Sequence, residues 1–455
     1  MTAPAVTARP MPQARRRLLG ALIVLAGLAF LVLAASLAFL EEEGHEAGHG
    51  DPPVVLAGLV CALLAAALIL MQYLLSGRLR LLDRVFGLPG LLQAHRVVAV
   101  SAAVLASCHP LLVFFPPDET IGPLRLEIWP ALLGMILLAS LWSTVAAGLW
   151  RGFLGLPFPR WWLLHRLGTF SLVVLAALHA SFVIETFQSG LPRLGLWAIL
   201  AAYGSWQIWS KLVKPARLAK APYRVGAVRA LAPDIHEVTL ARADGAPVLT
   251  YAPGQFAFVR FKSAAVSSEE HHFTLSSSPA RPESLSFTIK CSGDFTADIG
   301  RLAPGDTAVI DGPYGLFSHL ARTSDGQPLV LVAGGIGVTP FLSMLRYLAD
   351  TGDTRPVTLV WSARSRCELI LEEELQAIQA RLPGCTLIRI TSRESVPGWP
   401  AGRLDREALG RFLDGVDRGA ACFVCGPGKM MDAATRELAA LGFAKSRIHT
   451  ERFAL

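Results

Sequence analysis

Four histidines of this chain fall into two pairs with one spacing. His95 and His109 enclose thirteen residues, as do His165 and His179. The two segments are HRVVAVSAAVLASCH and HRLGTFSLVVLAALH, identical at seven of fifteen positions. After a shared arginine, only apolar or small residues precede the second histidine. Fourteen steps along an α-helix rise about 21 Å and return to nearly the same face, roughly 40° short of a whole number of turns. Each segment thus presents two imidazoles on one stripe, near opposite sides of a bilayer. Two such helices side by side stack two histidine pairs, a place for two haems with an axial histidine from each helix. A single intramembrane histidine more often bonds to a neighbouring helix. Ionisable residues inside a span are rare and mark function by default, so two pairs at one spacing point to metal.

Those imidazoles need helices that cross a membrane. The chain has 455 residues, 53% of them hydrophobic, and eight of its ten tryptophans lie before residue 211. Six segments, roughly 18–40, 54–76, 92–115, 130–150, 162–184 and 194–210, reach or approach the length of a hydrocarbon core of about 30 Å. Arg15, Arg16 and Arg17, then Arg78, Arg80 and Arg84, then Arg151 and Arg160, then Lys211, Lys214, Arg217 and Lys220 flank them on alternate sides, which assigns those flanks to the cytoplasm. The intervening loops carry Glu41, Glu42, Glu43, Glu46 and Asp51, then Asp118, Glu119 and Glu127, then Glu185, and belong outside. The third and fifth spans then run the same way. His95 pairs with His165 near the cytoplasm, and His109 with His179 near the outer face. Arg96 and Arg166 each follow an inner histidine, where they meet haem propionates or simply obey the same charge bias. The net charge of +7 is explained by these flanks and gives no reason to expect nucleic acid. Seven scattered cysteines argue against a disulfide framework, and Cys422 with Cys425 forms a CxxC without a second one to complete a zinc site.

After about residue 220 the pattern changes. YRVGAVRAL, HEVTLAR, GQFAFVRF, LSFTIK and TAVIDG are short strands divided by Gly, Pro and Asp, which predicts a small antiparallel β-barrel over 222–322. From about 326 to 455 strands alternate with helices: PLVLVAGG, IGVTPFLSMLRYLAD, VTLVWSA, a helix near 368–381, TLIRITS and ACFVCGP. That order predicts an α/β doubly wound parallel sheet. Gly334, Gly335 and Gly337 lie between strand and helix, where bare backbone lets a pyrophosphate approach the positive helix end. Thr339 and Pro340 follow, so the turn departs from the usual dinucleotide fingerprint. The whole is a multidomain chain: a cytoplasmic tail (1–17), a six-helix transmembrane haem-binding bundle (18–211), the barrel and the nucleotide domain.

HHFTLSSSP (271–279), DGPYG (311–315), AGGIGVTPF (333–341), CGP (425–427) and ERF (451–453) occur in this order. Together they resemble the ferredoxin-reductase-type flavin and nicotinamide module. Preceded by the paired-histidine helices, the chain from 18 to 455 resembles the NADPH oxidase and ferric reductase superfamily in a bacterial single-chain form. The resemblance implies FAD, NADPH or NADH, and two haem b groups. It places Phe273 against the flavin ring and Thr274 near its reactive nitrogen, with Ser276 in the same cofactor segment. It turns His271 or His272 toward the flavin phosphates, because His272 stands where the family has proline. Lys290, Gly293, Asp294 and Thr296 are expected nearby. Arg364 and Arg366 follow the second nucleotide strand, where paired guanidinium groups favour a 2′-phosphate and hence NADPH. Cys425, with Gly426 and Pro427, resembles the cysteine turn beside the nicotinamide. Phe453 resembles the terminal aromatic that shields the flavin and moves aside for hydride transfer.

The expected activity is a relay in the bacterial inner membrane, with the FAD and NADPH domains cytoplasmic. A hydride passes to flavin, single electrons cross the inner and outer haems, and a small external acceptor takes them. The flavin is needed because nicotinamide gives two electrons together and haem accepts one. Dioxygen, giving superoxide, is the first acceptor to consider. Oxygen-reducing relatives carry a further histidine one turn after the outer ligand, where this chain has Val113. The loop EEEGHEAGHGD, with His45 and His49, instead offers ligands suited to ferric or cupric ions over 41–51. A ferric or cupric chelate reductase is therefore the alternative, and an electron-delivery subunit for a periplasmic protein a third. No calcium-loop signature is present.

Overall fold

The computed structural model describes residues 11–42, 52–114, 129–155, 157–183, 187 and 189–452. Loop 43–51, with His45 and His49, and the terminal Phe453 lie outside the described residues. The chain divides into two compact units. One holds 17–82 and 90–214; the other holds 83–89 and everything from 215 onward, with the described residues before Arg17.

The first unit is helical. The helices of this half of the chain are α1 (Gln13–Glu42), α2 (Pro52–Ser76), α3 (Arg80–Phe86), α4 (Leu88–Phe114), α5 (Trp129–Leu149), α6 (Phe158–Val183), α7 (Gly190–Ile208) and, after a π turn at Trp209–Val213, α8 (Lys214–Ala219); most of α3 and α8 belongs to the second unit. Among the described residues, five stretches are long and apolar enough to cross a membrane: Gln13–Phe39, Pro53–Ser76, Leu88–Val113, Ala131–Leu149 and Arg160–Phe182. The sixth segment expected from the sequence is a helix, α7, but Arg193, Gln207 and four glycines or serines dilute its apolar character. Helices apolar all round do not bury one stripe against a small core. Leu22, Val32, Val97, Ile136 and Leu163 accordingly stay more than half exposed on the protein surface, as a lipid solvent allows. The interior is built from Ile69, Ala102, Ala103, Leu141, Val145, Leu172 and Val173, one layer drawn from α2, α4, α5 and α6. Small residues let these helices approach. A Cβ on Gly168 of α6 would stand 2.7 Å from Thr144 Oγ1 of α5.

The second unit carries two sheets. Strands β1 (Tyr223–Ala232), β2 (Ile235–Arg242), β3 (Phe256–Lys262), β4 (Glu270–Thr274), β5 (Leu285–Lys290) and β6 (Thr307–Tyr314) form an antiparallel sheet in the order β4-β3-β6-β1-β2-β5. A bridge between Leu275 and Phe287 ties the end of β4 back to β5. Alternating side chains fill its core with Val238, Leu240, Val259, Phe261, Leu275 and Phe287, each fully buried and worth about 1.5–3 kcal/mol against exposure. Helices α9 (Asp294–Ala297) and α10 (His319–Arg322) flank β6 in sequence.

The second sheet is parallel. Strands β7 (Leu329–Gly334), β8 (Val357–Ala363), β9 (Cys385–Thr391), β10 (Ala421–Cys425) and β11 (Ile448–Glu451) stand in the order β11-β10-β7-β8-β9. Helices α11 (Thr339–Thr351), α12 (Glu372–Arg381), α13 (Arg406–Phe412) and α14 (Gly428–Ala440) connect them. Buried residues form a separate apolar cluster on each sheet face, Phe341, Met344 and Leu345 in one and Met431, Ala434 and Leu438 in the other. The strand order turns back between β7 and β10, the place where open α/β sheets bind ligands.

Candidate functional site

In the helical unit the four histidines meet in the two expected pairs. His95 of α4 faces His165 of α6 with ring centres 6.3 Å apart, and His109 faces His179 at 6.4 Å. The rings cross at 73° and 76°. Metal–imidazole bonds of about 2 Å to each of two facing rings set their centres roughly 6 Å apart. The gap in each pair therefore fits one bis-imidazole metal.

The surroundings of the pairs were not legible from the histidine spacing. His109 Nδ1 lies 3.1 Å from the Gly58 carbonyl of α2. A proton on Nδ1 donates to that oxygen and leaves Nε2 as the metal donor. Gly58 is close because it has no side chain: a Cβ there would stand 2.7 Å from Val113 Cγ2. Val113, the position one turn beyond His109, is thus packed against α2. A Cβ on Gly134 of α5 would stand 2.8 Å from His179 Cε1. At the other pair, Trp161 stacks on His165 with centres 5.3 Å apart and planes 18° apart, and Arg151 lies over the far ring. His165 Nδ1 is buried without a hydrogen-bond partner among the described residues. The Gln72 amide lies against His95 Nδ1. A glycine or tryptophan at helical offset from a histidine on another span is the only sequence signal for these contacts.

In the second unit β4 sorts the flavin-motif residues by its alternation. His271 and Phe273 share one face, where His271 stacks on Phe295 with centres 4.0 Å apart, next to Gly293, Asp294 and Thr296. His272 turns to the other face, against Phe256 and Phe258. Thr274 is buried and its Oγ1 has no partner among the described residues. Ser276 is hydrogen-bonded into β5, through the Ser286 carbonyl and Thr288. Lys290 is held by Glu368 at 2.8 Å and Asp234 at 3.4 Å. Thr296 Oγ1 accepts from Ser292 N and donates to the Gly293 carbonyl.

The turns after β7 and β10 touch backbone to backbone. A Cβ on Gly337 would stand 2.5 Å from the Cys425 carbonyl oxygen, and one on Gly334 2.8 Å from Pro427. Gly426 has φ +153°, with the Gly334 Cα 2.9 Å from its would-be Cβ. This glycine-lined crevice opens at the carboxyl ends of the strands, beside Thr339 and Pro340 at the start of α11. Arg364 and Arg366 lie past the end of β8. Both are exposed, and Arg366 also lies over Trp399 and 3.7 Å from Glu372.

A chain of contacts joins the two sheets. Thr274 pairs with Phe256, and Phe256 with Tyr314. Gly315 lies against Phe256 and Glu451, and Glu451 pairs across β11 and β10 with Cys425. Cys425 is fully buried, and burial together with Glu451 pushes its thiol well up. Glu451 is also buried, and burial, followed by the neighbouring Asp83, raises its carboxyl well above the ordinary range. Two buried orphan oxygens, Thr274 Oγ1 and Glu451 Oε2, therefore lie at the ends of one short path. Both are polar atoms of a kind that bonds to the polar edge of a flavin, and neither has a partner among the described residues.

Residues 61–190 match the family described as ferric reductase like transmembrane component. Residues 222–318 match an FAD-binding domain family, and 331–436 the oxidoreductase NAD-binding domain. The chain belongs to the NADPH oxidase and ferric reductase superfamily. The second unit is its ferredoxin-reductase-type module. Over 246 residues the chain is 30% identical to the ferredoxin--NAD(P)(+) reductase component of the naphthalene 1,2-dioxygenase/salicylate 5-hydroxylase systems of a Ralstonia species, covering 53% of this chain and 71% of that protein. It is 31% identical over 237 residues to the flavohemoprotein of Bordetella pertussis, covering 49% of this chain and 58% of that relative's length. Among solved structures, the flavohemoglobin from Malassezia yamatoensis aligns over 88% of this chain and 98% of its own, with 21% identity and a TM-score of 0.48. The chain thus combines a ferric reductase like transmembrane component, an FAD-binding domain and an oxidoreductase NAD-binding domain, and it spans 58% of the length of the flavohemoprotein it matches.

Proposed function

We propose that this oxidoreductase carries electrons from cytoplasmic NADPH through FAD and two bis-histidine haem b groups to an acceptor outside the bacterial inner membrane. The observation that carries the reading is the pair of imidazole gaps, 6.3 and 6.4 Å between ring centres on α4 and α6. When bound, FAD turns a two-electron donor into single electrons and the haems conduct them. His95 with His165, and His109 with His179, would hold the two haems, the pairs being spaced by about 21 Å of helix rise. The basic flanks orient the bundle, and α7 completes six spans. In the second unit His271 faces the flavin phosphates, since it shares the Phe273 face and borders 293–296, whereas His272 lies on the other face of β4, against Phe256 and Phe258. Thr274 and Cys425 border the reacting flavin and nicotinamide, with Phe453 as the shield. Gly334, Gly335, Gly337, Gly426 and Pro427 leave bare backbone for the pyrophosphate, with Thr339 and Pro340 at the helix end. Arg364 and Arg366, both exposed past the end of β8, take a 2′-phosphate.

Dioxygen, reduced to superoxide, is the primary acceptor. An external electron-carrying protein partner is a further sink. The packing of Val113 against Gly58 leaves no side-chain donor at that position and favours a second reading, a ferric or cupric chelate reductase fed by loop 41–51. The experiment is NADPH oxidation by the purified protein in lipid nanodiscs with dioxygen, ferric chelate and quinone compared as sinks, superoxide being measured as the product of the first. Superoxide in stoichiometric yield without added metal supports the first reading; turnover only with ferric chelate, lost on deletion of 41–51, replaces it with the second.

A further inference from the structure

Asp83 follows the second membrane helix in the chain, yet it belongs to the unit that contains the flavin and nucleotide domains. It is a lone carboxylate among Arg78, Arg80 and Arg84, and it is 2% exposed. Both of its oxygens accept the Gly315 N–H at 3.1 Å, and Oδ1 accepts the Leu88 N–H at 2.8 Å. Gly315 ends the DGPYG turn with φ +95°, a left-handed conformation that favours glycine. A Cβ on Gly315 would stand 3.2 Å from Glu451 Oε1 and 3.0 Å from the Phe256 ring. Two carboxyl groups from distant parts of the chain thus converge on one glycine at the flavin edge.

We propose that Asp83 is a positioning residue of the flavin–nicotinamide site, clamping the Gly315 turn and holding one shared proton on Glu451. The hydrogen bonds decide which carboxyl carries it. Asp83 has two backbone N–H donors that stabilise its ionised form, and Glu451 Oε2 has no partner among the described residues. Two close carboxylates do not both ionise in a buried setting. Arg84 faces Asp83, while Arg322 and the Cys425 thiol face Glu451. Arg16 and His449 lie near Arg322. Arg322 alone among them favours ionised Glu451, and its guanidinium is itself bonded to the Leu316 carbonyl. A protonated Glu451 is a hydrogen-bond donor fixed beside Cys425, and Asp83 keeps it so. The inference rests on the FAD and NAD(P)H assignment and not on the haems or the acceptor.

The test uses the full-length, FAD-loaded protein in nanodiscs. Infrared spectra over pH, without nucleotide, locate a buried protonated-carboxyl band, assigned by its loss in Glu451→Gln. In Asp83→Asn the amide oxygen still accepts both N–H groups but the charge is gone. The band is expected to disappear about one pH unit lower than in wild type, and the alkaline limb of anaerobic flavin reduction by NADPH to move with it. Asp83→Ala, which loses the clamp as well, is expected to lose FAD on dilution. An unshifted band in Asp83→Asn overturns the proposal, and so does loss of FAD by Asp83→Asn equal to that by Asp83→Ala.

Discussion

The two histidine pairs have nearly the same gap and crossing angle but different supports. The His109–His179 pair is fixed by backbone and by missing side chains: a carbonyl at Gly58 orients one ring, and the absence of a Cβ at Gly134 admits the other. The His95–His165 pair is fixed by side chains, the Trp161 ring and the Gln72 amide. Identical ligands at identical spacing thus receive different outer contacts, and such contacts tune ligand basicity and metal potential. A repeat in sequence does not imply a repeat in environment.

Substitutions can separate the pairs. The largest effect is expected from Gly134→Leu, which drives a side chain into the His179 ring, and from Gly58→Val, which meets Val113 and Leu112. Overpacking of this kind costs about 1–3 kcal/mol. Haem content of the purified variants is expected to fall by about half, with the His95–His165 signal retained; equal loss of both signals would end the comparison. Trp161→Leu removes an aromatic stack worth about 1 kcal/mol. Its expected result is a changed electron paramagnetic resonance signal and midpoint for the Trp161-side haem, with the other unchanged.

Much of this was legible in the chain. Regular hydropathy fixed the helices, and strand alternation placed β1, β2, β3, β5 and β6 within a residue or two at most ends. The Val357–Ala363 strand matches its expected VTLVWSA segment. The histidine pairing followed from helix periodicity, because a 3.6-residue repeat carries side-chain direction in the sequence. What was hidden depends on contacts between segments far apart. Asp83 looks like part of a basic loop until its carboxylate is seen on Gly315, 232 residues later. Strand β11 was unrecognised because IHTE is short and half polar, and only pairing with Cys422–Cys425 makes it a strand. Gly58 and Gly134 look like ordinary small residues of a span. His271 and His272 could not be told apart by order, and the pleat of β4 separates them.

The other unit offers two buried titratable groups with opposite signs, and neither substitution should touch the difference between the histidine pairs. Burial, opposed by the Gly315 and Leu88 N–H groups, raises the Asp83 carboxyl from 3.8 to about 6. The folded chain therefore keeps a proton that the unfolded chain releases, and stability falls as pH rises from about 4 to 6 and stays lower above. Asp83→Asn is expected to raise the unfolding free energy of this unit by on the order of 2 kcal/mol at pH 7.5, with no gain at pH 4, read by flavin fluorescence on heating. Burial, then Arg355, depresses His319 from 6.5 to about 3. Here stability is present above the unfolded value and is lost as pH falls through the window toward 3. His319→Leu is expected to recover about 1 kcal/mol of that loss at pH 5.5, measured as the slope of melting temperature against pH.

The most direct test of the central claim is the haem count per chain in purified protein, with alanine placed at each of the four histidines in turn. Two b-type haems in the unmodified chain, and one remaining when either member of a pair is replaced, is the expected result. A chain without a Soret band, or one whose pigment survives replacement of His95, His109, His165 or His179, contradicts it.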